Sequence, residues 1–247
     1  MINAGNIMLS QQELKACKHF SIKSAYNQQE VEFGESSTKP RSVREIARDN
    51  LIGKIAEVAF CKVMHENYGI DIALDFNYYP RGQWDRQDAA INNWRIDIKA
   101  TRKGGQWMLI DWNKLNFRQH NDELSHIYLM FTVDWDRKTD MPTGKVSYEG
   151  AASLSKLSTS CQTTYVLRKG EYIPNTNTPL QTDNFGIHFG ELYKDLSGLV
   201  TYLTYRQPPA SLIANFRNPF SGHVASQFSD DISHNKSAKH YNHSSLA

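Results

Sequence analysis

The sequence predicts an α/β domain in which a mixed β-sheet is flanked by helices. Three observations carry that reading. Apolar residues recur at three- and four-residue spacing from Val43 to Val63, β-rich runs with alternating character follow between Trp94 and Tyr148, and helix-compatible segments return after Gly150. With 247 residues, of which 40% are hydrophobic and 22% charged, the chain is long enough to bury one sizeable core.

The elements follow in order. A short helix is expected around Gln11 to His19, then a polar connection ending at Lys39-Pro40. Ser42 with Glu45 three residues later forms a capping box, in which each side chain satisfies a backbone donor at the other's position. From there the apolar stripe Val43, Ile46, Leu51, Ile52, Ile55, Ala59, Phe60 and Val63 gives a core-facing helix of about six turns, stopping near Gly69. Gly53 lies inside it and costs up to ~1 kcal/mol relative to alanine, so a close approach of helix to sheet is expected there. Strands are expected at Trp94 to Thr101, Trp107 to Asp111 and His126 to Trp135, with a weaker one at Lys145 to Tyr148. Helical pieces are expected at Gly150 to Leu157 and Phe189 to Tyr205. From Gln207 to Ala247 periodicity is lost. The resulting division is an N-terminal extension over 1–41, a domain over 42–206 and a polar, flexible tail over 207–247.

Composition excludes several classes. The longest apolar run, Ile127 to Val133, falls far short of the ~18 residues a spanning helix needs, so no membrane partner is expected. The start, MINAGNIMLSQQELK, lacks a basic flank followed by an apolar stretch, so no signal peptide is expected. Cys17, Cys61 and Cys161 are widely separated and form no CxxC pair, which points to a reducing, cytoplasmic compartment. The tail histidines His223, His234, His240 and His243 have no metal-ligand spacing. A net charge of +2 announces no nucleic-acid binder, but cations cluster locally. One group is Arg41, Arg44, Arg48 and Lys54; the other is Arg95, Lys99, Arg102 and Lys103, with Asp97 as its single anion.

The chemistry-bearing residues are Asp97-Ile98-Lys99, Asp88 nine positions earlier, and Glu57 in the long helix. In a strand Asp97 and Lys99 emerge on one face about 6 to 7 Å apart, with Ile96 and Ile98 on the other. An acid and a base on one face is costly unless that face borders a cleft, binds an ion or pairs with something charged. Asn92-Asn93 at the centre of the intervening segment suits a tight hairpin that returns Asp88 beside Asp97. Two carboxylates meeting there repel, and a hard divalent cation such as Mg²⁺ relieves the repulsion. Glu57 falls at the margin of the helix's apolar face, where it is expected to point along the sheet edge toward them.

The ordered set GKIAEVAF (53 to 60), an aspartate, then RIDIKAT (95 to 101) resembles the PD-(D/E)xK superfamily of restriction-endonuclease-like nucleases. The resemblance covers roughly residues 42 to 135. It implies a restriction-endonuclease-like mixed sheet flanked by helices and a metal-dependent endonuclease hydrolysing DNA phosphodiester bonds, of restriction, defence or mobile-element type. Asp88 and Asp97 would hold Mg²⁺, with Mn²⁺ able to substitute, and Glu57 would bind a second ion or a metal water. Lys99 would orient or deprotonate the attacking water. Arg95, Arg102, Lys103 and Gln106 would contact nucleic acid, the partner being duplex DNA and the enzyme a homodimer. Gln87 stands where the family places a proline, and Asp85 or Asp75 are alternatives for the hairpin carboxylate. Other functions considered are a non-catalytic nucleic-acid-binding protein with a degenerate nuclease fold, and an RNA-cleaving, toxin-like nuclease. Taken singly, Asp97 and Lys99 read as a surface ion pair, Glu57 as a solvated helix residue and Asp88 as a turn residue; their joint order separates them from those readings. Trp84, Trp94, Trp107, Trp112 and Trp135 all lie around the motif, with sheet packing as their main use.

Overall fold

The longest element grows directly from the capping signal. In the computed structural model, which describes residues 3–27, 41–79, 88–111, 124–159 and 165–210, helix α2 runs over Val43–Tyr68. Both halves of the capping box form: Ser42 Oγ accepts from Glu45 N, and Glu45 Oε2 accepts from Ser42 N at 2.8 Å. Gly69 ends the helix at φ 65, a left-handed conformation that glycine adopts without steric cost. The face carrying Ile55, Ala56, Ala59, Phe60 and Val63 is buried against the sheet, with Phe60 edge-on to Phe131. Gly53 is not at a close approach. A Cβ built there meets nothing among the described residues within 4 Å, so the expected contact with the sheet is absent and the glycine is a plain cost to the helix.

A five-stranded sheet has the order β1-β6-β5-β3-β2, from β1 (Ile7–Met8), β2 (Ala89–Ile91), β3 (Trp94–Arg102), β5 (Ile127–Asp136) and β6 (Met141–Ser153). β3 and β5 are parallel, with Asp97 opposite Tyr128 and Lys99 opposite Met130, and the other pairs are antiparallel. β5 is buried on both faces. Leu129, Phe131 and Val133 join Ile96, Ile98 and the α2 side chains in one core, whereas Tyr128 and Met130 belong to a second. That second core lies between the sheet and a three-stranded sheet, ordered β4-β8-β7, made of β4 (Trp107–Asp111), β7 (Tyr165–Leu167) and β8 (Asn184–His188).

Residues 7–27 pack on the same body. β1 pairs with β6, and helix α1 (Gln11–Asn27) lies along α2, tied by Lys62 to Glu13 at 3.1 Å and by Asn50 to Ser24. α1 runs eight residues beyond the expected His19, because its packing on α2 compensates for a polar sequence with little periodicity of its own. Other boundaries also moved. Lys145 to Tyr148 is the middle of the 13-residue β6, and Gly150 to Ser153 is its end rather than a helix; helix α3 is only Leu154–Thr159. Gly150 sits at φ 134 where the β5–β6 register shifts, and a Cβ there would lie 2.5 Å from Leu192 Cβ. Phe189–Glu191 is a single 3₁₀ turn, and helix α4 starts only at Leu196, with Asp195 as N-cap, and ends at Tyr205. The connection at 28–40, Trp84, Asp85, Gln87, Trp112, Cys161 and the tail from 211 lie outside the described residues.

The turn of the β2–β3 hairpin caps α4. Asn92 and Asn93 have φ 46 and 68, the consecutive left-handed pair that a two-residue hairpin turn needs. Asn92 Nδ2 donates to the carbonyls of Thr204 at 3.0 Å and Arg206 at 3.1 Å, and Trp94 Nε1 donates to Arg206 O at 2.7 Å. These bonds satisfy carbonyls that a helix end leaves without intrahelical partners.

The two glycines predict opposite responses to alanine. Gly53→Ala should stabilise the fold by roughly 0.5–1 kcal/mol, because it adds helix propensity in open space. Gly150→Ala should destabilise it by more than about 1 kcal/mol, since the backbone conformation and Leu192 both exclude a methyl group. Urea denaturation of the two variants checks both signs.

Candidate functional site

The central strand β3 places an acid and a base side by side. Because side chains alternate, Ile96 and Ile98 enter the core shared with α2, and Arg95, Asp97 and Lys99 emerge on the opposite face. Asp97 is buried, with 8% exposure, and Lys99 is half-buried. Lys99 Nζ lies 2.5 Å from Asp97 Oδ1, an ion pair sheltered from bulk solvent. Tyr128, beside Asp97 in the parallel register, is fully buried; burial, reinforced by the Asp97 charge, pushes its phenol well above its ordinary pKa.

The hairpin delivers the second carboxylate. Continuing the Ala89–Ile96 register by one residue sets Asp88 opposite Asp97. β2 is only three residues long, so among the described residues its pairing with β3 stops at Ile96. Asp88 Oδ2 covers the next position by accepting from Ile98 N at 2.5 Å. Asp88, Asp97 and Lys99 thus occupy one end of one hairpin, and the two aspartates supply the hard oxygen donors that Mg²⁺ or Mn²⁺ prefers.

Glu57 sits elsewhere. α2 covers the Ile96 and Ile98 face of the sheet, opposite the one from which Asp97 and Lys99 emerge. Glu57 pairs with Lys54, which is 3% exposed and also donates to Asp75 O at 2.6 Å. The Lys54 ammonium lies over the rings of Phe20 at 4.4 Å and Phe76 at 5.3 Å. Among the described residues no three His, Cys, Asp or Glu side chains are gathered closely enough to hold a metal ion together. Asp75, the alternative hairpin carboxylate, accepts from Tyr79 and from Asn77 N, and its pKa is lowered by these bonds against the opposing, larger desolvation. Asp75 belongs to the Lys54 environment.

The expected nucleic-acid contacts divide. Arg95 shares the Asp97 and Lys99 face, and its backbone N–H donates to His126 Nδ1 at 2.8 Å. Arg102 points to the other face, stacked on Trp135 with its guanidinium 4.1 Å from the ring centroid and paired with Asp140 at 3.2 Å. Lys103 is exposed, 3.9 Å from Asp134, and Gln106 is exposed with its carbonyl accepting from Phe189 N. An open cleft of about 650 Å³ lies beside α4, walled by Trp94, Ile127, Lys156, Leu192 and Tyr202; none of Glu57, Asp88, Asp97 or Lys99 lines it.

Two participants escape a reading of the sequence. His126 is a single histidine before an apolar run, with nothing local to mark its bond to Arg95 N. Asp140 lies in a turn rich in charge, where no spacing distinguishes it from Asp134 or Asp136.

Burial, and secondarily the Arg95 charge, lowers the His126 pKa to about 4. A base whose folded pKa lies below its unfolded value of about 6.5 contributes its full stability above about pH 6.5, and loses it as pH falls toward about 4. The protein should therefore lose about 2 kcal/mol between about pH 7.5 and about pH 5 from this group. His126→Asn, which keeps an acceptor for Arg95 N–H, should show a correspondingly flatter profile in urea denaturation at the two pH values.

No family model, no curated protein and no solved structure matches this chain.

Proposed function

We propose that this protein is a metal-dependent endonuclease hydrolysing DNA phosphodiester bonds, with a restriction-endonuclease-like arrangement of α2, the β2–β3 hairpin and the mixed sheet. The observation that supports it best is the pairing of buried Asp97 with half-buried Lys99 on a central strand, with Asp88 held at Ile98 N–H beside it. Burial of opposite charges on a sheet face brings little net stability by itself, so their retention there suits a chemical task.

In this reading Asp88 and Asp97 would hold Mg²⁺, which would supply a more acidic water and offset charge on the phosphate. Asp88 is fixed by Ile98 N–H and Asp97 by the strand, so both carboxylates are oriented before substrate arrives. Lys99, ion-paired with Asp97, orients the attacking water or neutralises a non-bridging phosphate oxygen. The water oxygen forms a bond to phosphorus as the bond to the leaving sugar oxygen breaks, the attacking water giving up a proton to solvent and the departing sugar oxygen taking one up from it. Arg95, on the same face, is placed to hold a neighbouring phosphate and reads no sequence. Glu57, a second-ion ligand by the resemblance, is here paired with Lys54 on the α2 side of the sheet, the side opposite Asp97 and Lys99.

A second reading is favoured by one observation. Asp97 with Lys99, and Glu57 with Lys54, already form close ion pairs, as in a fold that binds nucleic acid without cutting it.

Asp97→Asn and Lys99→Ala should each lower Mg²⁺-dependent cleavage of plasmid DNA by at least about a hundredfold. Asp97→Asn should also weaken Mn²⁺ binding, whereas Lys99→Ala should leave it measurable. Glu57→Gln should lower stability by about 3 kcal/mol, because the buried Lys54 ammonium loses its carboxylate partner and keeps only neutral ones, such as the Asp75 carbonyl and the Phe20 and Phe76 rings. EDTA should abolish cleavage and added Mg²⁺ restore it. A folded Asp97→Asn protein with full activity would remove the nuclease assignment, and absence of cleavage alongside tight binding would favour the second reading. Single-stranded RNA as substrate separates the RNA-cleaving alternative.

A further inference from the structure

The two basic clusters of the sequence, 58 positions apart at Arg44 and Arg102, meet at one carboxylate. Asp140 stands in the β5–β6 turn at φ 52. Arg44 Nη2 reaches its Oδ2 at 3.0 Å, and Arg102 Nη2 and Trp135 Nε1 reach its Oδ1 at 3.2 and 3.0 Å. Three donors from α2, β3 and β5 therefore converge on a single anion. These hydrogen bonds, Trp135's foremost, hold the Asp140 carboxyl below the usual range. Arg137 and Lys138 lie exposed in the same turn, and Lys103 follows Arg102. Five cations, Arg44, Arg102, Lys103, Arg137 and Lys138, stand against three aspartates, Asp134, Asp136 and Asp140, so the surroundings remain net cationic.

We propose that Arg44, Arg102 and Trp135 form a phosphate-binding fork for a nucleic-acid backbone, and that Asp140 is a built-in competitor which the phosphate displaces. This rests on the reading that the protein acts on nucleic acid. The fork has the chemistry of a phosphate site: two guanidinium groups and an indole N–H aimed at one position. Arg102 is stacked on Trp135, so its side chain is ordered before any ligand arrives and little further entropy is lost on binding. Asp140 is 46% and Arg44 86% exposed in their side chains, so the internal pair is of the weak, solvent-screened kind that a polyanion with counterions to release can replace.

The test is anisotropy of a labelled DNA duplex with the full chain in EDTA, over a series of salt concentrations. Asp140→Asn keeps an acceptor for Trp135 and should tighten binding about three- to tenfold, a gain that unfolding cannot produce. The double variant Arg44→Ala with Arg102→Ala should weaken binding and reduce the slope of log K against log salt by about two; Arg102→Lys with Arg44 intact checks that any loss is not misfolding, by restoring most of the slope. A single-stranded RNA of equal length in the same series tells which backbone the fork prefers. Unchanged or weaker binding by Asp140→Asn overturns the proposal, as does an unchanged slope in the double variant or equal gain for poly-glutamate. If the wild-type protein binds no nucleic acid, this proposal and the nuclease reading fall together. If it binds and cleaves but the fork variants are silent, only the fork is lost.

Discussion

The architecture depends on burying both faces of the parallel pair β3 and β5. Each face needs its own cover, and the two covers differ in kind: helices α1, α2 and α4 on the side of Ile96, Ile98, Leu129 and Phe131, and a second sheet on the side of Tyr128 and Met130. Parallel strands cannot be joined by a short turn, so the chain must cross over between them, and the elements before and after the pair are free to close it off. The strand that carries Asp97 and Lys99 is therefore among the most constrained in the molecule. Its polar face is the exception in an otherwise apolar layer.

That arrangement gives the candidate centre its rigidity. Asp97 lies buried beside Tyr128 in the parallel register, and Asp88 is tied to the backbone of the very strand it faces. Carboxylates held this way are poised at a modest electrostatic cost, offset locally by Lys99. Glu57 obeys a different logic. Its partner Lys54 is enclosed by Phe20, Phe76 and the Asp75 carbonyl, so the pair welds α1, α2 and the 75–79 segment together.

Much of this could be read from local sequence where the cause is local. Ser42 with Glu45 and the apolar stripe announced α2, Gly69 its end, and Asn92-Asn93 the hairpin, because caps and turns are decided within a few residues. What depended on distant partners stayed hidden. Nothing near Lys145 tells that β6 extends for 13 residues, since its length is set by pairing with β5 and β1. A lysine at position 54 looks like surface until Phe20 and Phe76 are placed on either side of it. Asp140 acquires meaning only from Arg44, 96 residues earlier, and Arg102, 38 residues earlier. Gly53 shows the reverse error: its cost was legible, but a packing reason was inferred where the space is empty.

The amide of Asn92 that closes the end of α4 also sets an order of events during synthesis. Its carbonyl partners, on Leu203, Thr204 and Arg206, lie 111 to 114 positions later in the chain. While the ribosome is still making the middle of the protein, the β2–β3 turn has the shape of a finished hairpin but no helix to hold. The indole of Trp94 is likewise left without the Arg206 carbonyl to which it donates. Nascent chains shorter than about 206 residues should therefore expose this corner to chaperones and proteases, and the last turn of α4 locks the hairpin that bears the candidate centre only when the domain is nearly complete.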